Sequence, residues 1–130
     1  MKKSLWSLLL VMLFSVNILA APKIVKHELG QAQINGVPKR VVVFDYGLLD
    51  IVDAVGGNVV GVVKDNLPQS LKKFSDKKYT NIGTLFEPNY ETLIKLKPDL
   101  ILISGRQEKV YKELNKIAPT IYLTVDGPTY

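Results

Sequence analysis

Few side chains in this sequence are placed to do chemistry. Arg106 stands in the run Ser104-Gly105-Arg106-Gln107, with Lys109 three residues further on. Asp45 and Tyr46 are adjacent in Asp45-Tyr46-Gly47, and Phe86 lies in Gly83-Thr84-Leu85-Phe86-Glu87. A guanidinium donates several charge-assisted hydrogen bonds in one plane, and aromatic rings add faces for cation–π contact. Residues of these types on one surface suit a flat, anionic, oxygen-rich ligand held without a covalent bond. Lys109 is one helical turn from Arg106 and is expected to point the same way. Each residue also has a plainer reading: Asp45 as a helix cap, Tyr46 as packing against a hairpin, Arg106 as a solvated first-turn residue.

Catalysis finds less support. No Gly-x-Gly-x-x-Gly follows the first buried strand, and no glycine-rich loop ends in Lys-Ser or Lys-Thr, so the phosphate cradles of dinucleotide and P-loop folds are missing. A serine triad would have to draw on His27, the single histidine. The absence of cysteine excludes thiol catalysis, disulfide scaffolds, thiolate zinc sites and iron–sulfur clusters. With one histidine, direct metal ligation is not expected, nor is a resident cofactor, and His27 itself reads as a structural residue in an edge hairpin. Asp45 with Asp50 or Asp53 is like the acidic cluster of a receiver domain, but a receiver carries no export leader.

Such a leader is the reading of residues 1–20. Lys2 and Lys3 give a positive start, residues 5–16 are an apolar stretch of roughly a dozen, and Ile18-Leu19-Ala20 ends in a small residue. The run is shorter than the roughly 20 residues of a spanning helix. Cleavage after Ala20 is expected, because a cut after Ala21 would leave Pro22 next to it. No cysteine follows, so a lipid anchor is excluded and a soluble periplasmic protein is expected. The whole sequence of 130 residues carries a net charge of +5, and the leader lysines are part of it. The mild excess that remains is spread among acids, which argues against nucleic acid and favours a small anionic ligand.

The elements that must position these residues follow from the alternation of patterns. Residues 24–29 and 31–34, separated by Gly30 and closed by Asn35-Gly36, predict a small antiparallel hairpin. Residues 40–44 are a near-continuous apolar run, the mark of a strand buried on both faces, and Asp45 after them is a good cap for a helix over 46–55. In that helix Leu48, Ile51, Val52 and Val55 form the apolar stripe, with Asp50 and Asp53 outward. Gly56-Gly57 stops it. Further strands are expected at 59–63, 79–82, 99–103 and 120–124, and helices at 68–74, 89–97 and 106–117, the last with Val110, Leu114 and Ile117 on one face. Two consecutive strand–helix–strand units give an α/β fold: an open, mostly parallel sheet of four or five strands with helices on both faces, preceded by the hairpin. In such a sheet the ligand site lies beyond the carboxyl ends of the strands, where the three segments named first emerge. The last strand should be followed by a covering helix, yet the sequence ends in Gly127-Pro128-Thr129-Tyr130, which reads as mid-loop, so a fragment is expected.

Three stretches carry a family resemblance. The run from Arg40 to Gly56 (RVVVFDYGLLDIVDAVG), the run from Asn89 to Gln107 (NYETLIKLKPDLILISGRQ), and Ile117-Ala118-Pro119-Thr120 closely resemble periplasmic siderophore-binding proteins of iron ABC transporters. The Leu-Lys-Pro-Asp-Leu-Ile segment is general to that family, which also holds hydroxamate, haem and vitamin B12 binders. Ser104-Gly105-Arg106-Gln107 and the segment from Phe44 to Asp50 are similar to the ferric-catecholate, enterobactin-type subgroup.

The resemblance implies a signal peptide at 1–20 and, over 21–130, the N-terminal α/β lobe of a two-lobed binding protein whose ligand sits between lobes. It implies a binding protein and not an enzyme, one that captures a ferric siderophore in the periplasm and presents it to an inner-membrane ABC permease, with a monomer expected. Arg106 would be this lobe's neutralising contact, with Lys109, Asp45, Tyr46 and Phe86 around it. Glu91 matches the family glutamate that docks to permease arginines. The alternatives are another ligand of the same family, an exported α/β enzyme, or a structural domain without a ligand.

Overall fold

A computed structural model describes residues 21–124. The expected leader at 1–20 and the chain end at 125–130 lie outside the described residues. Strands β1 (Lys23–His27) and β2 (Gly30–Ile34) pair antiparallel. Then follow β3 (Val41–Val43), α1 (Tyr46–Ala54), β4 (Val59–Val62), a 3₁₀ segment (Gln69–Ser75), β5 (Thr80–Asn81), α2 (Tyr90–Leu96), β6 (Leu100–Ile103), a second 3₁₀ segment (Gly105–Val110), α3 (Tyr111–Ile117) and β7 (Thr120–Tyr122). Among the described residues no helix is long and apolar enough to cross a membrane.

The five strands β3 to β7 form one parallel sheet in the order β5-β4-β3-β6-β7. The chain enters at β3, steps outward to β4 and β5, then returns to the other side of β3 as β6 and β7. The doubly wound α/β fold expected from the sequence is therefore present, with five strands.

Alternating side chains bury both faces of this sheet, as the continuous apolar runs require. Val41, Val43, Leu100, Leu102 and Ile121 face a layer with Leu48 and Leu49 of α1 and Leu71 and Phe74 of the first 3₁₀ segment. Val42, Phe44, Ile101, Ile103 and Tyr122 face Leu93 of α2 and Leu114 and Ala118 of α3. Val110 and Ile117 pack against this second cluster. Gly61 lets α2 approach β4, since a Cβ there would meet Ile82 Cγ2 at 2.7 Å and Leu96 Cδ2 at 2.8 Å.

Several expectations shift. The hairpin turns at Glu28-Leu29, and Gly30 pairs with His27 inside the ladder. The two-residue turn therefore lies one step before the glycine taken as the break. In α1 the buried stripe is Leu48 and Leu49 with Val52 behind them, while Ile51 and Val55 are 54% and 78% exposed. A cap fixed at Asp45 sets the helix's rotation on the sheet, and that rotation turns Ile51 outward. Asp53 is also not free, since it takes an ion pair from Lys73 at 2.5 Å and so ties α1 to the first 3₁₀ segment. The helix expected over 68–74 is that 3₁₀ segment, the strand over 79–82 shrinks to Thr80–Asn81, and the helix over 106–117 divides at Val110 into a 3₁₀ segment and α3.

The hairpin packs on β7, and His27 meets Tyr111 of α3 edge-on, with ring centroids 5.4 Å apart at 79°. Burial lowers the His27 pKa; the neighbouring Thr120 backbone partly opposes this, although neither ring nitrogen reaches a hydrogen-bond partner. The folded chain thus prefers the neutral imidazole. Its contribution is complete above the unfolded value of about 6.5 and is lost as pH falls through the lowered native value. Thermal melts of His27→Phe should show a shallower decline between roughly pH 7 and pH 5 than the parent chain, and an equal decline would count against this role.

Candidate functional site

Strands β3 and β6 are neighbours whose onward connections run in opposite directions, so the sheet's topological switch point lies between their carboxyl ends. Open α/β sheets bind ligands in the crevice at such a point. The side chains found there are Asp45 after β3 and Ser104 and Arg106 after β6.

Asp45 has extended backbone and caps α1, its Oδ1 accepting the Leu48 N–H at 3.0 Å. Its Oδ2 accepts the Ser104 hydroxyl at 3.0 Å and lies 3.8 Å from Arg106 Nη1. The carboxylate is mostly covered, at 16% exposure, while the Arg106 side chain is 55% exposed and free to meet a solute. At the opposite ends of the same two strands, Asp99 accepts the N–H groups of Lys39 and Arg40 at 2.7 and 2.9 Å. The central strand pair is therefore pinned above and below, which holds the switch point still.

Gln107 is the residue the sequence reading gave no role. It is fully buried; its Oε1 accepts the Ser104 N–H at 3.0 Å and its Nε2 donates to the Leu85 carbonyl at 2.5 Å. One amide thus joins the loop after β6 to the loop after β5. The local signal was present, because Ser-x-x-Gln at a helical start is the capping-box signature. The loop after β5 is shaped from within: Thr84 Oγ1 accepts the N–H groups of Phe86 and Glu87, and Gly83 sits at φ +117°. A Cβ at Gly83 would run into the Glu87 carbonyl, so glycine is required. Phe86 stands at this loop's tip, 66% exposed.

The remaining site candidates separate. Tyr46 begins α1, and its hydroxyl donates to the Asp65 carbonyl in the loop after β4. Burial raises the Tyr46 pKa, the Asp65 charge adds to the rise, and the Arg106 charge opposes it. The phenol is neutral and already engaged, and its half-buried ring packs against both core clusters. Lys109 shares the 3₁₀ segment with Arg106, but it lines an open concavity of about 480 Å³ with Leu29, Tyr111 and Lys112. Glu91 lies in the first turn of α2, 80% exposed, and pairs with Lys95 at 2.8 Å. The arrangement brings Asp45, Tyr46 and Arg106 together at the switch point, with Phe86 on an adjoining rim. Among the described residues no three His, Cys, Asp or Glu side chains converge to hold a metal ion.

Such a surface can bind an anion. The sequence profile of the family described as periplasmic binding protein matches residues 41–129. The petrobactin-binding protein YclQ of Bacillus subtilis is 49% identical over 110 residues, covering 82% of this chain and 35% of the relative. The Fe(3+)-citrate-binding protein YfmC of the same organism is 42% identical over 111 residues, covering 83% and 35%. The crystal structure of the periplasmic catecholate-siderophore binding protein VctP from Vibrio cholerae superposes with a TM-score of 0.74 at 44% identity, covering 78% of this chain and 37% of that one. The chain spans about a third of the length of the curated relatives it matches. These relatives are named as binding proteins, not as enzymes, and their ligands differ.

Proposed function

The chain belongs to the periplasmic binding protein family, and from that premise we propose that it serves as the periplasmic substrate-binding component of an iron–siderophore ABC importer. In this reading residues 21–130 form the N-terminal lobe, residues 1–20 the leader, and the protein works as a monomer with no catalysis of its own. The ligand is a ferric siderophore, catecholate in type, delivered to an inner-membrane permease. The observation that carries the reading is Arg106: a guanidinium at the topological switch point, beside the Tyr46 ring, with an exposed aromatic rim at Phe86. Ferric tricatecholates are flat-faced trianions, and the planar guanidinium fork suits their oxygens. A ferric citrate complex is the second reading, favoured by the 42% identity to a citrate binder.

Titration of the full-length two-lobed protein with a hexadentate ferric tricatecholate, ferric citrate and a neutral ferric trihydroxamate separates these readings. The tricatecholate is expected to bind most tightly. Tightest binding of citrate would move the ligand class, and tightest binding of the neutral complex would defeat the anion site.

Glu91 is assigned to the permease, not the ligand. Its only partner among the described residues is Lys95, one turn along the same exposed helix face, and such surface pairs contribute little to stability. Charge reversal, Glu91→Lys, should leave siderophore affinity within about twofold while reducing uptake in cells, because an exposed rim charge acts on association with a charged partner. Weakened ligand binding with normal uptake would defeat the assignment.

A further inference from the structure

Asp45 is an unexpected neighbour for a site that binds anions. Its carboxylate sits 3.8 Å from the guanidinium that would meet the ligand, yet it cannot swing away. One oxygen is held by the Leu48 N–H and the other by the Ser104 hydroxyl, at 3.0 Å each. Helix α1 and the loop after β6 are both anchored through it, and the side chain is largely covered. The negative charge therefore stays in place when a ligand arrives.

We propose that Asp45 sets the charge selectivity of this site: it is a fixed counter-anion that competes with the ligand for Arg106 and lowers affinity in proportion to the ligand's negative charge. This rests on the functional reading above and adds a selection rule to it. Two effects oppose each other at this position. Pairing with Asp45 restrains the Arg106 side chain, which favours binding, but at 3.8 Å, with the guanidinium half exposed, the pair is loose and restrains little. The repulsion between the fixed carboxylate and a multiply charged ligand a few ångströms further out grows with each ligand charge. For a trianion repulsion is the larger effect, and for a neutral complex it vanishes. The site would then reject small, highly charged anions unless they also offer the aromatic surface that Tyr46 and Phe86 can use.

The variant that isolates the charge is Asp45→Asn, since asparagine caps a helix about as well as aspartate, and its Nδ2 can donate to the Ser104 hydroxyl, which turns from donor to acceptor. The probes are the gallium(III) complexes of a hexadentate tricatecholate, charge minus three, and of a hexadentate trihydroxamate, charge zero, titrated into the full-length two-lobed protein and followed by NMR. Asp45→Asn should bind the trianion about three- to tenfold more tightly than the parent, with the gain shrinking as salt is raised. It should bind the neutral complex within about twofold of the parent. Asp45→Ser, a second neutral cap, should reproduce the shift if the first variant folds poorly. Full-length two-lobed protein that binds neither complex overturns the functional reading, and this proposal with it. Parent chain that binds the trianion, with Asp45→Asn binding it equally or more weakly, overturns the proposal and leaves the reading standing.

Discussion

Replacing Gln107 by leucine is expected to lower the stability of the chain by about 2–4 kcal/mol, a large share of the total for a domain of this size. Leucine fills nearly the same volume, so packing changes little, and the loss is electrostatic in origin. Two backbone groups, the Ser104 N–H and the Leu85 carbonyl, would be left facing an apolar side chain in a site with little access to water. Each such group costs about 1–3 kcal/mol when its partner is removed. Gln107→Glu should fall between leucine and the parent near neutral pH, because the Ser104 N–H keeps its acceptor while the Leu85 carbonyl then faces a carboxylate. Urea unfolding followed by circular dichroism measures both. A leucine variant within about 1 kcal/mol of the parent would mean that the two loops hold together without the amide. The same variant should raise hydrogen exchange at Phe86 and Glu87 more than at β3 or β6, since the loop after β5 is what the amide retains.

Gln107 also shows where sequence reading stops. The strands were legible because a buried parallel strand needs apolar residues on both faces, and residues 41–43 and 100–103 are written that way. The helix starts were legible because Asp45 and Asn89 are capping types, and both cap, accepting from Leu48 and Thr92. Ser-x-x-Gln carries a local cap signature that the sequence reading left unused. The bond from Gln107 to Leu85 was not, because it crosses 22 positions and depends on where the loop after β5 is carried by the sheet order. The pairing of Asp45 with Ser104, 59 positions apart, likewise requires β3 and β6 to be neighbours, and no periodicity states that. The apolar stripe of α1 was misplaced for a related reason. Ile51 and Val55 fit the helical spacing as well as Leu49 does, and only the cap's attachment to the next strand decides which side faces the sheet. Lys109, placed with Arg106 by helical spacing, shares its 3₁₀ segment and lines the concavity beside Leu29.

The anchoring of Asp45 bears on the residue beside it. Arg106→Ala should weaken binding of a ferric tricatecholate by about 1.5–3 kcal/mol, hence roughly ten- to hundredfold. Among the described residues the guanidinium is the one cation set directly at the switch point, and its removal leaves ligand oxygens without charge-assisted donors in a partly desolvated crevice. It also leaves the Asp45 carboxylate, which cannot move, facing the ligand with no cation between them. The loss should therefore lie at the upper end of that range. Arg106→Lys should recover only part of it, because an ammonium restores charge but not the planar fork or the stacking face. Adding Asp45→Asn to Arg106→Ala should recover a further several-fold, since the unopposed charge is then gone. That recovery distinguishes a lost ligand contact from a disturbed fold, because neutralising Asp45 would not repair misfolding. Arg106→Ala with the affinity of the parent would remove Arg106 from the site. A loss that Asp45→Asn leaves unrelieved would show that the carboxylate does not reach the ligand.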